Sequence, residues 1–369
     1  MSIPFRPALA GLEPYGAPQI DVPITLNVNE NPYPPSESMI ADISSAVAQA
    51  STRLNRYPDR DFLGLRQDLA DYLFKESAVR LDPEQIWAAN GSNEVMLHLL
   101  LAYAGPGRSV LSFAPTYSMY SEYARDTFSD WHELPRREDF SLDLENLPQV
   151  LSEVRPAVIL LASPNNPTGT ALTAGELRAV LDAAQGNGPL DAPGSACLVV
   201  VDEAYGEFRR EGVPSALELL ADYDNLAVSR TMSKAFGAAG LRLGYLAASE
   251  QLIEQLRIVR LPYHLSALTQ AAARAALRHS ADQLAQVAAL RAGRDEIVRR
   301  LNSLGLETAP TDANFVMFGT FADRHAIFSH LLARGVLIRE VGPDGWLRVS
   351  VGTPAENEAF FAALEEVME

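Results

Sequence analysis

At 369 residues the chain is longer than one small core requires, so a large domain with a smaller one beside it is expected. Hydrophobic residues make up 47% and charged ones 21%, a globular profile; no stretch approaches the roughly eighteen apolar residues of a membrane span, and a cytoplasmic protein is expected. The formal charge of −17 argues against loose nucleic-acid binding, because phosphates would be repelled, yet a local arginine cluster can still hold a small anion.

In chain order, residues 1–35 are proline-rich and read as an N-terminal arm. Apolar strand candidates at 109–113, 158–162, 197–201, 226–229 and 243–247 then alternate with helical patterns at 93–104, 174–184 and 215–221. Val- and Leu-rich strands separated by helices predict an α/β domain over 36–262 with a mainly parallel, buried sheet. In such sheets ligands gather at the carboxyl ends of the strands. The pattern changes at Arg260-Leu261-Pro262-Tyr263. A helical stretch over 266–304 follows, then strand candidates at 314–318, 336–339 and 347–351. A last helix opens with Thr353 as N-cap, Pro354 at the first position and Glu356 completing a capping box. Residues 263–369 therefore read as a smaller α+β domain. Cys197, the only cysteine, lies in an apolar run and reads as a buried thiol. The six histidines show no metal-ligand spacing, so no metal site is expected.

Neither the Gly-x-Gly-x-x-Gly fingerprint nor the Gly-x-x-x-x-Gly-Lys-Ser/Thr loop occurs, which removes the nicotinamide and P-loop readings. The basic residues are unbalanced instead. Of thirty Lys and Arg, only Lys75 and Lys234 are lysine. Arginine stays protonated, whereas a lysine can shed its proton and attack a carbonyl carbon. Lys75 sits in an ordinary amphipathic stretch; Lys234 sits in Thr231-Met232-Ser233-Lys234-Ala235-Phe236-Gly237, with Gly240, Arg242 and Gly244 close behind.

Other polar clusters follow strands or start helices. Asp202-Glu203 ends the strand at 197–201, where a buried carboxylate needs a partner; an exposed loop-opening acid reads equally well. Tyr205 shares that space. Ser163-Pro164-Asn165-Asn166-Pro167-Thr168-Gly169 makes a turn whose two amides a bare turn does not explain. Asn90-Gly91-Ser92-Asn93-Glu94 precedes an apolar helix, with Ser92 as the expected N-cap; a helix start also binds anions. Tyr117 follows the strand at 109–113, as a core aromatic or a stacking platform. Arg348 alternates with Leu347 and Val349, so it points away from their side, either into solvent or, with Arg339, onto an anion.

Asn-Asn-Pro-Thr-Gly, then Asp202-Glu203-Ala204-Tyr205, then Ser233-Lys234-Ala235-Phe236-Gly237-x-x-Gly-x-Arg242-x-Gly244-Tyr245 together resemble the fold-type I pyridoxal-phosphate aminotransferases. The resemblance runs along essentially the whole chain. Within that group, Leu12-Glu13-Pro14-Tyr15-Gly16, Asn29-Glu30-Asn31-Pro32-Tyr33, Arg56-Tyr57-Pro58 and Trp346-Leu347-Arg348-Val349-Ser350-Val351-Gly352 look like the histidinol-phosphate aminotransferases. The resemblance implies pyridoxal 5'-phosphate held by a Schiff base on Lys234, with Asp202 facing its ring nitrogen and Asn166 and Tyr205 its ring oxygen. It implies Tyr117 on the ring face, and Gly91, Ser92, Asn93, Thr231, Ser233 and Arg242 around the phosphate. Tyr57 would reach the phosphate of a neighbouring subunit, making a homodimer with shared sites. Arg348 and Arg339 would bind the anionic end of the substrate, assisted by Tyr15, Asn93 and Tyr263. The implied reaction moves the amino group of histidinol phosphate to 2-oxoglutarate by a ping-pong route. Alternatives are a phenylalanine aminotransferase, a threonine-phosphate decarboxylase and a non-catalytic cofactor-binding protein. The Gly- and Pro-rich insertion 185–195 is expected to be a surface loop without chemistry, and the small-residue stretch 235–240 to pack its backbone closely.

Overall fold

The computed structural model describes residues 3–368; the first two residues of the expected arm and the last residue of the expected small domain lie outside the described residues. The chain runs through β1 (Ile24–Thr25), α1 (Glu37–Ser51), α2 (Leu63–Ser77), β2 (Ile86–Ala89), α3 (Ser92–Tyr103), β3 (Ser109–Ala114), α4 (Met119–Asp126) and β4 (Asp130–Pro135). Then come α5 (Leu147–Val154), β5 (Val158–Ala162), α6 (Ala174–Ala184), β6 (Leu198–Asp202), β7 (Leu226–Thr231), β8 (Gly244–Ala248) and α7 (Glu250–Val259). The remainder is α8 (Ala267–Arg278), α9 (Ser280–Ser303), β9 (Glu307–Thr308), β10 (Phe315–Gly319), α10 (Arg324–Ala333), β11 (Val336–Leu337), β12 (Leu347–Ser350) and α11 (Pro354–Met368).

Seven strands form one sheet in the order β2-β8-β7-β6-β5-β3-β4. From β7 to β4 every pairing is parallel, while β8 runs antiparallel to both neighbours. Every residue of β5, β6 and β7 is buried, as expected for strands covered by helices on both faces. Their apolar runs made them visible in the sequence to within two residues at each end. The edge strand β4, Asp-Trp-His-Glu-Leu-Pro, is half exposed and has no apolar run, so the sequence pattern did not reveal it. β12, β10 and β9 form a second, antiparallel sheet. Among the described residues no helix is long and apolar enough to cross a membrane.

One expectation needs correction, and two gain detail. The segment 215–221 is only a 3-10 turn, Ala216–Leu219, closed by Ser215 and Glu218 as a capping box; four residues are too few for an α-helical ladder. The stretch 266–304 is two helices, α8 and α9, parted at His279. The arm is not free along its whole length: β1 pairs in parallel with β11, and Leu26 is buried while its N–H and C=O bond to Leu337 and Ser350. The cap of α11 is as read: Thr353 and Glu356 exchange side-chain to backbone bonds. Cys197 is buried, its Sγ against the Asn187 carbonyl at 3.1 Å, and burial pushes the thiol up to about 12.

Behind the sheet edge lies a buried ion cluster. Alternation along β6 and β7 sends Glu203 and Arg230 to the side opposite Asp202 and Thr231. Arg230 is fully buried and meets Glu203 at 2.7 Å, Glu76 at 3.3 Å and Glu207 at 3.3 Å. Arg209, the Ser215 hydroxyl and the Ala216 N–H complete the ring around Glu203. Burial opposes ionisation of Glu203, but Arg230 and Arg209 outweigh it and hold its carboxyl below the usual range.

Candidate active site

The last residues of five strands, Ala114, Pro135, Ala162, Asp202 and Thr231, open onto one cleft of about 1030 Å³. This is where a parallel sheet gathers ligands. The arm adds Tyr15, Ala17 and Asn27 to Asn29, and the C-terminal sheet adds Arg339, Arg348 and the Val341-Gly342-Pro343 turn.

Lys234 follows β7 in a tight turn, and its Nζ donates to the Val28 carbonyl at 2.8 Å. Burial, with Arg348 adding to it, lowers its ammonium from 10.5 to about 8. Asp202 is buried; Tyr120 donates its hydroxyl to Oδ2 at 3.1 Å and the Ala204 N–H donates to Oδ1 at 3.1 Å. Burial nevertheless pushes this carboxyl up to about 6, because no cation pairs with it among the described residues. The Tyr205 hydroxyl accepts from Asn29 Nδ2 at 2.9 Å, and the Tyr205 ring centroid is 5.9 Å from Lys234 Nζ.

The start of α3 forms another wall. The N-cap is Gly91, at φ +85°, and not Ser92, which is the first residue of the helix. A side chain at 91 would be strained at that φ, and its Cβ would lie 2.5 Å from Arg242 Nη2, so the guanidinium would have to move. A Cβ on Gly244 would lie 2.1 Å from the Ser92 nitrogen. Both glycines therefore let β8, Arg242 and the helix start meet. Ser92 and Asn93 line the cleft, where the first helical amides have no carbonyl behind them and suit an anion. Opposite, Thr231 donates to Ser233 Oγ at 3.0 Å, and Arg242 reaches that oxygen at 3.4 Å. Arg242 holds a left-handed backbone, φ +54°, a strain that marks functional sites.

At the other end, Arg348 does point away from the side of Leu347 and Val349, into the cleft. It is buried, donates to Asn166 Oδ1 at 2.5 Å and to the Asn27 carbonyl at 2.9 Å, and keeps Nε without a partner. Burial lowers its guanidinium to about 10. Arg339 pairs with it backbone to backbone, and its buried Nη1 also lacks a partner. Neither forms a salt bridge with a carboxylate among the described residues. Two adjacent guanidiniums with orphaned N–H groups make a site for a dianion or a carboxylate.

Tyr15 and Tyr117 line the cleft, Tyr117 standing edge-on to Tyr120 at 5.6 Å and 86°. Of the residues expected in this chain's own site, Tyr263 does not line the cleft and Gly91 caps α3 without lining it; Tyr57 was expected at a neighbouring subunit's site. Tyr57 and Tyr263 stack on one another at 4.4 Å and 13°; Tyr57 is 80% exposed, and neither lines this chain's cleft. No residue of the insertion 185–195 lines it either. Reading by type missed Asn27 and Tyr120. Asn27 acts through its backbone carbonyl, which side-chain reading ignores. Tyr120 lies three residues after Tyr117, a spacing that could have suggested it. Asn29 stood inside a recognised stretch but had no role assigned.

A family model, Aminotransferase class I and II, matches residues 21–364. The chain belongs to that family. It is 57% identical over 366 residues to histidinol-phosphate aminotransferase 3 of Burkholderia lata, covering 99% of this chain and 96% of that one. It is 52% identical to the histidinol-phosphate aminotransferase of Bifidobacterium longum, covering 100% and 97%. Among solved structures it is similar to the histidinol-phosphate aminotransferase of Sinorhizobium meliloti in complex with pyridoxal-5'-phosphate, with TM-score 0.85, 26% identity, and 99% and 97% covered.

The lowered ammonium of Lys234 gives a pH signature. The native chain releases this proton near pH 8 and the unfolded chain near 10.5, so the cost of a buried charge falls away as pH rises through that window. In cofactor-free protein, acylation of Lys234 by a reagent selective for neutral amines, followed by mass spectrometry, is expected to show a midpoint near pH 8. A midpoint above 10 contradicts the burial assigned to it.

Proposed function

We propose that the chain is a pyridoxal-phosphate-dependent transaminase moving the amino group of L-histidinol phosphate to 2-oxoglutarate, in histidine biosynthesis, and that it works in the cytoplasm. The observation that carries the substrate choice is the pair Arg339 and Arg348, two guanidiniums that line the cleft holding Lys234 and form no salt bridge with a carboxylate among the described residues.

The residues present fit the cofactor. Ser92, Asn93, Thr231, Ser233 and Arg242 line the same end of the cleft and would serve as donors to its phosphate. Asp202 would face the ring nitrogen, Asn166 and Tyr205 the ring oxygen, and Tyr117 the ring face. When bound, pyridoxal phosphate supplies an aldehyde for amine capture and an electron sink for the carbanion. Lys234 would supply the attacking amine, about half of it neutral near pH 8, and its Nζ would take a proton from the substrate carbon and return it elsewhere. Asp202, ionised, would hold a proton on the ring nitrogen. Arg348 and Arg339 would bind the phosphate end of the donor substrate and, after it leaves, a carboxylate of the oxo-acid, so that one seat serves both halves of a ping-pong route. Tyr15, at the cleft mouth, helps to cover the bound substrate.

The same fork accepts the carboxylate of phenylalanine, which keeps an aromatic aminotransferase as the second reading. Single-turnover spectra of the holoenzyme with each donor decide. Histidinol phosphate is expected to convert the cofactor band about a hundred-fold more efficiently than phenylalanine; equal or better conversion by phenylalanine rejects the substrate, and carbon dioxide from threonine phosphate rejects the transferase class.

We further propose a homodimer in which Tyr57 and Tyr263 serve the partner's site. Their mutual stacking on an exposed face, together with the exposed Leu54, Ile258 and Leu261, supports this. Mixing an inactive Tyr57→Ala chain with an inactive Lys234→Ala chain is expected to restore activity, since one site of the hybrid then has both groups. No restoration in a demonstrated hybrid contradicts sharing.

A further inference from the structure

The carboxylate of Asp202 is unusual in what does not touch it. It is buried, no salt bridge reaches it among the described residues, and its neighbour Glu203 adds a repulsive charge. Its anion rests on two donors. One is the Ala204 N–H, which the turn supplies whatever the side chains are. The other is the Tyr120 hydroxyl at 3.1 Å. Tyr117, Tyr123 and Tyr205 also face this carboxyl through space, but none donates to it.

Tyr120 itself is held firmly. It is fully buried in the first turn of α4, and its ring meets Tyr117 edge to face at 5.6 Å. Burial, and then Asp202, push its phenol well above the ordinary value, so it stays a donor across the working range. A donor to a carboxylate favours the ionised form. Where an acid and a ring nitrogen share one proton, that donor favours carboxylate with protonated nitrogen over carboxylic acid with bare nitrogen.

We propose that Tyr120 is a positioning residue for the transamination: its hydroxyl, bonded to Asp202 Oδ2, keeps the shared proton on the cofactor's ring nitrogen. The inference rests on the reading above that Asp202 faces that nitrogen. Tyr120 touches neither substrate nor cofactor and acts only through Asp202.

The test uses holoenzyme reconstituted with pyridoxal phosphate labelled with nitrogen-15 in the ring. The Tyr120→Phe variant keeps the ring, and so the packing on Tyr117, and removes only the oxygen. In wild type the ring-nitrogen resonance is expected at the protonated position. In Tyr120→Phe it is expected to move toward the unprotonated position, while kcat of the amino-donor half-reaction falls about ten-fold, the lower end for a hydrogen bond to a charged group, with little change in KM. A Tyr120→Phe resonance identical to wild type, whatever the activity, overturns the inference and leaves Tyr120 a packing residue. An unprotonated nitrogen already in wild type overturns the placement of Asp202 and this inference with it; an Asp202→Asn holoenzyme, expected to show bare nitrogen, separates the two failures.

Discussion

Arg230 and Glu203 meet at 2.7 Å where water does not reach. They lie next to Thr231 and Asp202 on adjacent parallel strands, and strand alternation does the rest. What the ion pair fixes on one side of the sheet edge is the position of a hydroxyl and a carboxylate on the other. Losing one partner of such a buried pair typically costs about 3–5 kcal/mol, so the two strand ends cannot drift apart cheaply. The cleft inherits that rigidity. Asp202 and Thr231 are the floor against which the α3 start, the Lys234 turn and the two arginines of the C-terminal sheet are set.

Charge is distributed against the average. The chain carries −17 overall, yet its cleft holds Arg242, Arg339, Arg348 and Lys234 against only Asp202 and Glu133 among its lining acids. A cationic concavity in an anionic body concentrates small anions and repels polyanions. The same crowding of positive charge works on Lys234: burial and Arg348 both favour its neutral form. The arginines that would bind anions thus help to make the half-buried Lys234 a nucleophile, a division of labour that arginine permits because it does not give up its proton.

Much of this was legible in the sequence, and for identifiable reasons. β5 and β6 are Val-Ile-Leu-Leu-Ala and Leu-Val-Val-Val-Asp, and such runs hardly admit another reading. Thr353, Pro354 and Glu356 carry their capping chemistry within four residues. Lys234, Asp202 and Arg242 stood out because each is a charge placed beside small or apolar residues. What stayed hidden depends on distance in the chain. Ser92 is the natural cap by type, but the approach of Arg242, some 150 residues on, and of Gly244 puts a glycine there instead. Asn27 bonds through its backbone. Tyr57 and Tyr263 stack on one another away from this chain's cleft, so their place in one chain gives them no ligand to touch. The tie of β1 to β11 joins two-residue strands more than 300 positions apart, too short for any periodicity to show.

Arg339 and Arg348 are the proposed seat for the phosphate of the amino donor. Comparing histidinol phosphate with histidinol, which differs only in that phosphate, tests it most directly. In single turnovers of the holoenzyme, kcat/KM is expected to fall about a hundred-fold when the phosphate is removed, the scale of charge-assisted bonds to two guanidiniums, and most of that gap is expected to close in an Arg339→Gln, Arg348→Gln double variant. Equal efficiency with and without the phosphate in the unaltered enzyme, or a gap that persists in the double variant, would contradict it.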